Sequence, residues 1–303
     1  MQSGNDPDCK WFQQIAEQGH YAGRTQPTAT RQGIYFATPN GKFLGSLNSN
    51  RWEQVAGKME EALQEWQQRD ISDRLNPTID PDFLSQSKRK EDKYPVGGLV
   101  WKVYSRDLPR DTDDGRNDWR STAWNQDFAW VSRNEIDQLL PVSWEQGERH
   151  KLPDAILRRL CIAHLVDNVR GQTPSYRPEH VEVAEGSVEV VFEKDGVVEL
   201  IYRGETRTVA KGSWSINDRR DAMSPQFHQR GVETSWLGKA SYNKSEERFE
   251  QFELVFAGTR WGATQYNGRH DDLDPAPIGF VLKMVDDRPL NRVAPELFWS
   301  YGW

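Results

Sequence analysis

Residues 260–274, RWGATQYNGRHDDLD, place two arginines, two aromatic rings, two amides, a histidine and three aspartates within fifteen positions. Arg260 and Arg269 offer planar donors to an anionic or hydroxyl-rich ligand, and Trp261, Tyr266 and Asn267 are types that stack on and orient one. His228, in the run GSWSINDRRDAMSPQFHQRG, joins this ligand-binding set if that run is a long loop over the mouth of a sheet. His270, Asp271 and Asp274 are candidate ligands of a divalent metal, since an imidazole among carboxylates suits a hard or borderline cation. On them rests the reading of a metal-dependent hydrolase. The plainer reading is a solvated loop, because adjacent aspartates seldom both point inward. Trp261, ending a strand-like run beside these groups, is the aromatic best placed for binding.

Cys9 is the candidate catalytic thiol. It falls in the first turn of a helix expected from Pro7 onward, where unpaired backbone N–H groups and the helix dipole favour a thiolate. Asp6 and Asp8 act against it, since nearby negative charge disfavours that form. Cys161 and His164, three positions apart, share a helix face and could form a thiolate–imidazolium couple or part of a metal site, with packing the plainer role. Asp111, Asp113, Asp114 and Asp118 lie in a calcium-loop-like run whose glycine is one position early and which lacks the closing glutamate. No nucleophile-elbow, zinc-helix, phosphate-loop or dinucleotide motif occurs.

The elements that must position these groups divide into two kinds. Residues 1–68 read as helix, strand, Asn40-Gly41 turn, strand, helix. Trp11, Phe12, Ile15 and Ala16 make one helical stripe, and Trp52, Val55, Ala56, Met59, Leu63 and Trp66 make another, with Trp52 and Trp66 expected in the core. Residues 69–98 hold prolines, a Gly-Gly pair and mixed charge without an apolar period, as a linker does. Residues 99–303 form a tryptophan-rich unit. One helix is expected from near Pro153 to Gly171, with Ile156, Leu157, Leu160 and Leu165 among its apolar positions, and short strands joined by hairpins, Asp195-Gly196 among them, run from 181 to 285. The fold class is α+β, with a small αββα unit before an antiparallel β-barrel or sandwich carrying one or two helices.

Strand, Asn-Gly turn, strand and amphipathic helix over residues 31–66, RQGIYFATPNGKFLGSLNSNRWEQVAGKMEEALQEW, resemble the C-terminal half of the thioredoxin fold, which reads roughly PTLLLFKNG before its last helix. The resemblance implies a reactive cysteine at a helix N-terminus, matched in position by Cys9, and a cis-proline before the strands, for which Pro27 is the counterpart. The chain has CKWF where that family has C-x-x-C. The activity implied is therefore thiol-dependent redox chemistry through Cys9 without a resolving partner.

The 303 residues carry 46 acidic and 39 basic side chains, a net charge of -7, mixed along the chain. No basic block could neutralise a row of phosphates, which excludes nucleic acid as the expected partner. No apolar run approaches the ~20 residues of a membrane helix, so no membrane partner is expected. The cytoplasm is the default location, with a periplasmic or secreted one open if a leader has been removed. Two cysteines cannot make a disulfide framework, and thirteen tryptophans against four methionines suggest either core filling or a stacking surface. The function expected is a ligand-binding or interaction protein whose aromatic-lined β unit takes a small-molecule or protein ligand. Thiol redox and metal-dependent hydrolysis are the alternatives.

Overall fold

Asn40-Gly41 turns the chain between two β-forming runs because glycine accepts the left-handed backbone that a tight hairpin demands, and Gly41 has φ +82°. The structure, a computed structural model, describes residues 7–22, 31–74, 90–110, 119–216 and 226–303. Asp6, Pro27 and the aspartates at 111, 113, 114 and 118 lie outside the described residues, as does the side chain of Asp8. The chain divides into two compact units, Met1–Asp92 and Lys93–Trp303, with the division inside the stretch read as linker.

The first unit holds helix α1 (Pro7–Ala16), strands β1 (Ile34–Ala37) and β2 (Phe43–Leu47), helix α2 (Trp52–Gln68) and a helical turn α3 (Ile71–Arg74). The strands pair antiparallel, with Ile34 opposite Leu47 and a bulge after Phe36. The helical turn belongs here: Lys42 pairs with Asp73, and the Arg74 guanidinium lies 5.3 Å from the Trp66 ring centroid. The apolar stripe of α2 is only half covered. Ala62 is buried and Val55, Ala56 and Trp66 are partly so, but Met59 and Leu63 are exposed and Trp52 is 73% exposed. Trp52 is therefore not a core residue, because a two-stranded hairpin is too narrow to cover so wide a stripe.

In the second unit, alternating apolar and polar residues build long strands: β3 (Leu99–Asp107), β4 (Trp124–Val131), β5 (Arg149–Lys151), β6 (Val181–Lys194), β7 (Val197–Trp214), β8 (Gln226–Asn243), β9 (Arg248–Trp261) and β10 (Ala276–Met284). They form one antiparallel sheet in the order β4-β3-β10-β9-β8-β7-β6-β5. The expected barrel or sandwich is thus replaced by a single ladder with two ends, β4 and β5. Strands of 14 to 18 residues twist enough for one sheet to curl over its own core. Asp195 and Gly196, both at positive φ, make the tight β6–β7 turn.

The alternating runs at residues 181–184, 188–193, 197–202 and 206–210, which read as four short strands, are halves of β6 and β7. The apparent breaks fall where Gly186 pairs with Gly204. A side chain at either position would strike the Trp236 ring, at 2.7 and 2.8 Å from the added carbon, so glycine here opens space in the core and does not end a strand.

That core surrounds a helix. After a helical turn α4 (Trp119–Thr122), helix α5 (Ala155–Ala163) buries Ile156, Leu157, Leu160 and Cys161 among Trp101, Val188, Leu200, Tyr202, Phe252 and Phe256. Trp101 meets Phe252 edge-on at 5.1 Å, and the Tyr202 hydroxyl donates to the Leu139 carbonyl at 2.9 Å. The reverse face of β3 and β4 is also covered, since Val100, Phe128 and Trp130 pack on Phe298 and Tyr301. Residues 99–101 and 128–131 are therefore buried on both faces and read as apolar runs, whereas the start of β4, from Trp124 to Asp127, is more polar and partly exposed.

Candidate functional site

Asp107 ends β3 on the core side of the sheet, where it meets charged groups from two loops. Arg269 donates from Nη2 to Asp107 Oδ1 at 2.6 Å and, through Nε and Nη2, to both oxygens of Asp167 at 2.9 and 2.8 Å. Arg170 donates to Asp107 Oδ2 at 2.9 Å and to Asp272 Oδ2 at 3.0 Å. Asp272 also accepts two bonds from Arg110, at 2.7 and 3.0 Å, and pairs with Arg260. Burial would raise the Asp107 and Asp272 pKa values. Hydrogen bonds from Arg269 to Asp107, and from Arg110 and Arg260 to Asp272, more than offset it and hold both carboxyls below the usual range.

Arg260 and Arg269 are thus fully buried parts of an internal ionic network, not ligand donors at a surface. Asn267 is buried as well, and its Oδ1 accepts from the Thr264 backbone N–H at 3.1 Å, shaping the turn. Of the ligand-binding set from this stretch, Tyr266 is exposed, at 61%.

Trp261 follows Arg260 in β9 and so lies on the opposite face of the sheet, since successive side chains of a strand alternate. It lines an outer groove of about 660 Å³ with Glu205, Arg207, Glu233 and Thr259. Its ring already has neighbours: an added carbon at Gly231 would lie 2.1 Å from it, and the Arg207 guanidinium stands 5.4 Å from the ring centroid. Packing against backbone and stacking under a guanidinium are its evident roles.

A different pocket opens where β7 ends and β8 begins. It has a volume of about 550 Å³ and is lined in part by Arg177, His180, Lys211, Trp214, Arg230 and Tyr266. Arg230 is opposite Ala210 in the β7–β8 register and points to the core side with Val232 and Thr234. Only 8% exposed, it stacks 4.2 Å from the Tyr176 ring centroid and donates from Nη2 to the carbonyls of Pro174 and Ser175, at 2.8 and 3.1 Å. No carboxylate forms an ion pair with it among the described residues. Burial lowers its pKa and the charge of Asp167 opposes that shift. Trp214 is held by its indole N–H, which donates to the Ala263 carbonyl at 2.8 Å, and the His228 ring lies 5.7 Å from it. Thus Tyr266 and His228 come together with this pocket, while Arg260, Trp261, Asn267 and Arg269 go elsewhere. A sequence signal for Arg230 existed: it is a cation at an inward position of an alternating strand.

The candidate metal ligands are not gathered. Asp271 pairs with Arg120 at 2.9 Å, and His270 and Asp274 are exposed. Among the described residues no cluster of three or more His, Cys, Asp or Glu side chains suits a cation.

Cys161 and His164 face different partners. His164 Nδ1 lies 2.8 Å from Asp127 Oδ2 and its Nε2 2.7 Å from the Tyr301 hydroxyl. Burial raises the Asp127 pKa, and His164 together with backbone N–H donors brings it below the ordinary value. With Asp127 ionised, Nδ1 carries a proton and Nε2 can accept from Tyr301, whose oxygen accepts from the Trp130 N–H at 2.9 Å. This chain of bonds fastens the last residues to β4.

Burial pushes the Cys161 thiol up to about 12, against hydrogen bonds with Thr208 and Thr206. A raised value means that the neutral thiol's contribution to stability is complete below the unfolded pKa of about 8.5 and is lost as pH climbs towards the folded value. Iodoacetamide should therefore leave Cys161 unmodified in the folded protein at about pH 8, as read by peptide mass spectrometry. Rapid labelling there would contradict this environment. Cys9 is also buried, at 6% exposed.

No family model matches the chain, nor does any curated protein or solved structure. The resemblance of residues 31–66 to the thioredoxin fold rests on its own sequence features. Among the described residues, no helix is long and apolar enough to cross a membrane.

Proposed function

We propose that the chain is a ligand-binding protein whose β unit holds a small oxyanion in the pocket at the β7–β8 end. The observation that carries this reading is Arg230. A guanidinium nine-tenths buried, with no ion pair among the described residues and only the more distant charge of Asp167 beside it, is costly to hold in a dry interior unless an anion can reach it. The rest of the lining agrees with an anion: it holds no carboxylate among the described residues, and Arg177 adds a second cation at its edge. Tyr176 and two carbonyls fix the guanidinium before any ligand arrives, which lowers the cost of binding.

The thiol-dependent alternative through Cys9 and the hydrolytic one through His270, Asp271 and Asp274 draw no comparable support. Cys9 is buried and the three metal candidates stand apart.

Thermal unfolding with a panel of carboxylates and phosphates tests the proposal. A ligand at a hundred times its Kd should add about 2.7 kcal/mol of stability, or roughly 5–10 °C for a unit of this size. Arg230→Met should remove the shift and Arg177→Gln should reduce it. If every anion leaves the midpoint unchanged, or the Arg230→Met protein responds as the parent does, the reading fails.

A further inference from the structure

The pocket says more about its ligand than the sign of the charge. Resting on the oxyanion reading above, we infer that the anion carries a planar ring, the oxyanion meeting Arg230 and the ring lying against Trp214 with Tyr266 at the rim. Three features of the lining point there.

Trp214 is fixed from one edge by its bond to the Ala263 carbonyl, so its indole N–H is spent and the benzo ring is what it can offer. Gly212, two positions earlier on the same side of β7, would place an added carbon 3.4 Å from that benzo ring; glycine leaves the contact position empty, open to a ligand's flat face. Tyr266 is 61% exposed although its backbone is held in a bridge to Gln172. An aromatic ring on a fixed backbone at a pocket rim is available for stacking and has little else to pack on.

The remaining lining adds carbon surface from Pro174, Ala210 and Gly212 and neutral hydroxyls from Ser213, Ser215 and Thr264. A bare inorganic anion would leave most of about 550 Å³ unfilled. A ring-bearing one fills it, with a single strongly held charge at Arg230 and a weaker basic group, Arg177, towards solvent.

Isothermal titration calorimetry at low salt tests this with matched probes: benzoate, cyclohexanecarboxylate, acetate, phenyl phosphate and inorganic phosphate. Benzoate should bind at least 10-fold more tightly than acetate, and phenyl phosphate than inorganic phosphate. Benzoate should also exceed cyclohexanecarboxylate by roughly 3- to 10-fold, the range an aromatic pair contributes beyond area. Which ring compound binds better decides whether the oxyanion is a carboxylate or a phosphate, and either supports the proposal. In Trp214→Leu the ratio of benzoate to acetate affinity should shrink. If that variant does not fold, Tyr266→Ala, altering an exposed side chain, should give the same narrowing.

Equal affinities for ring-bearing and ringless anions, or a ring advantage untouched by both substitutions, would overturn the ring inference and leave the oxyanion site standing. Failure of all five probes to bind would overturn both. A loss of binding in Arg230→Met together with equal affinities in the parent would overturn the ring inference alone.

Discussion

Arg269→Met should lower the stability of the β unit by about 3–5 kcal/mol, the usual cost of leaving buried charge without its partner. Arg269 is 0% exposed and donates to both oxygens of Asp107 and of Asp167 and to Asp272. Removing it leaves carboxylates facing each other in a dry site. At roughly 2–4 °C per kcal/mol for a unit of this length, the melting midpoint should drop by about 6–20 °C. A loss below about 1 kcal/mol by urea unfolding would show that the network is weakly coupled to the fold.

The same variant has a pH signature. In the parent, Asp107 and Asp272 have folded pKa values below their ordinary ones. Their stabilising contribution is therefore present above the unfolded pKa of about 3.9 and is lost as pH falls through the folded values. Without Arg269, burial dominates at Asp107 and its pKa should rise, so protonation relieves the variant where it harms the parent. The stability gap between the two should narrow below about pH 5. A gap that stays constant or widens from pH 7 to pH 4 would refute this account.

Trp101→Ala should cost about 3–5 kcal/mol, while Trp52→Ala should change stability by no more than about 0.5 kcal/mol. Trp101 is 0% exposed, sits edge-on to Phe252 at 5.1 Å and belongs to the cluster that encloses α5. Its loss empties a volume that the surrounding strands cannot close without breaking their ladders. Trp52 is 73% exposed on α2, where alanine is also the better helix former. Thermal unfolding of both variants reads the contrast directly. Comparable losses at the two positions would mean that α2 packs on something in solution, and a small loss at Trp101 would mean that the core relaxes around the gap.

Local chemistry was legible in the sequence wherever neighbouring residues decide the outcome. Asn40-Gly41 and Asp195-Gly196 make tight turns because few residues besides glycine tolerate the required backbone, and α2 and α5 appear where apolar residues recur at helical spacing. The antiparallel strands between residues 181 and 285 follow from alternation for the same reason, although Gly186 and Gly204 made two long strands look like four short ones. What each side chain does was decided by the tertiary structure. Arg260 and Trp261 are adjacent in sequence, yet register sends one into a buried network and the other to an outer groove. Arg269 finds Asp107 across 162 positions and Asp167 across 102, a pairing that no local pattern encodes, because it exists only after β3, β9 and the loops after α5 and β9 meet. The pocket at Arg230 is of the same kind. Its residues come from the segment before β6 and from β7 and β8, so Arg230, Tyr176 and Trp214 meet only when the sheet brings those ends together.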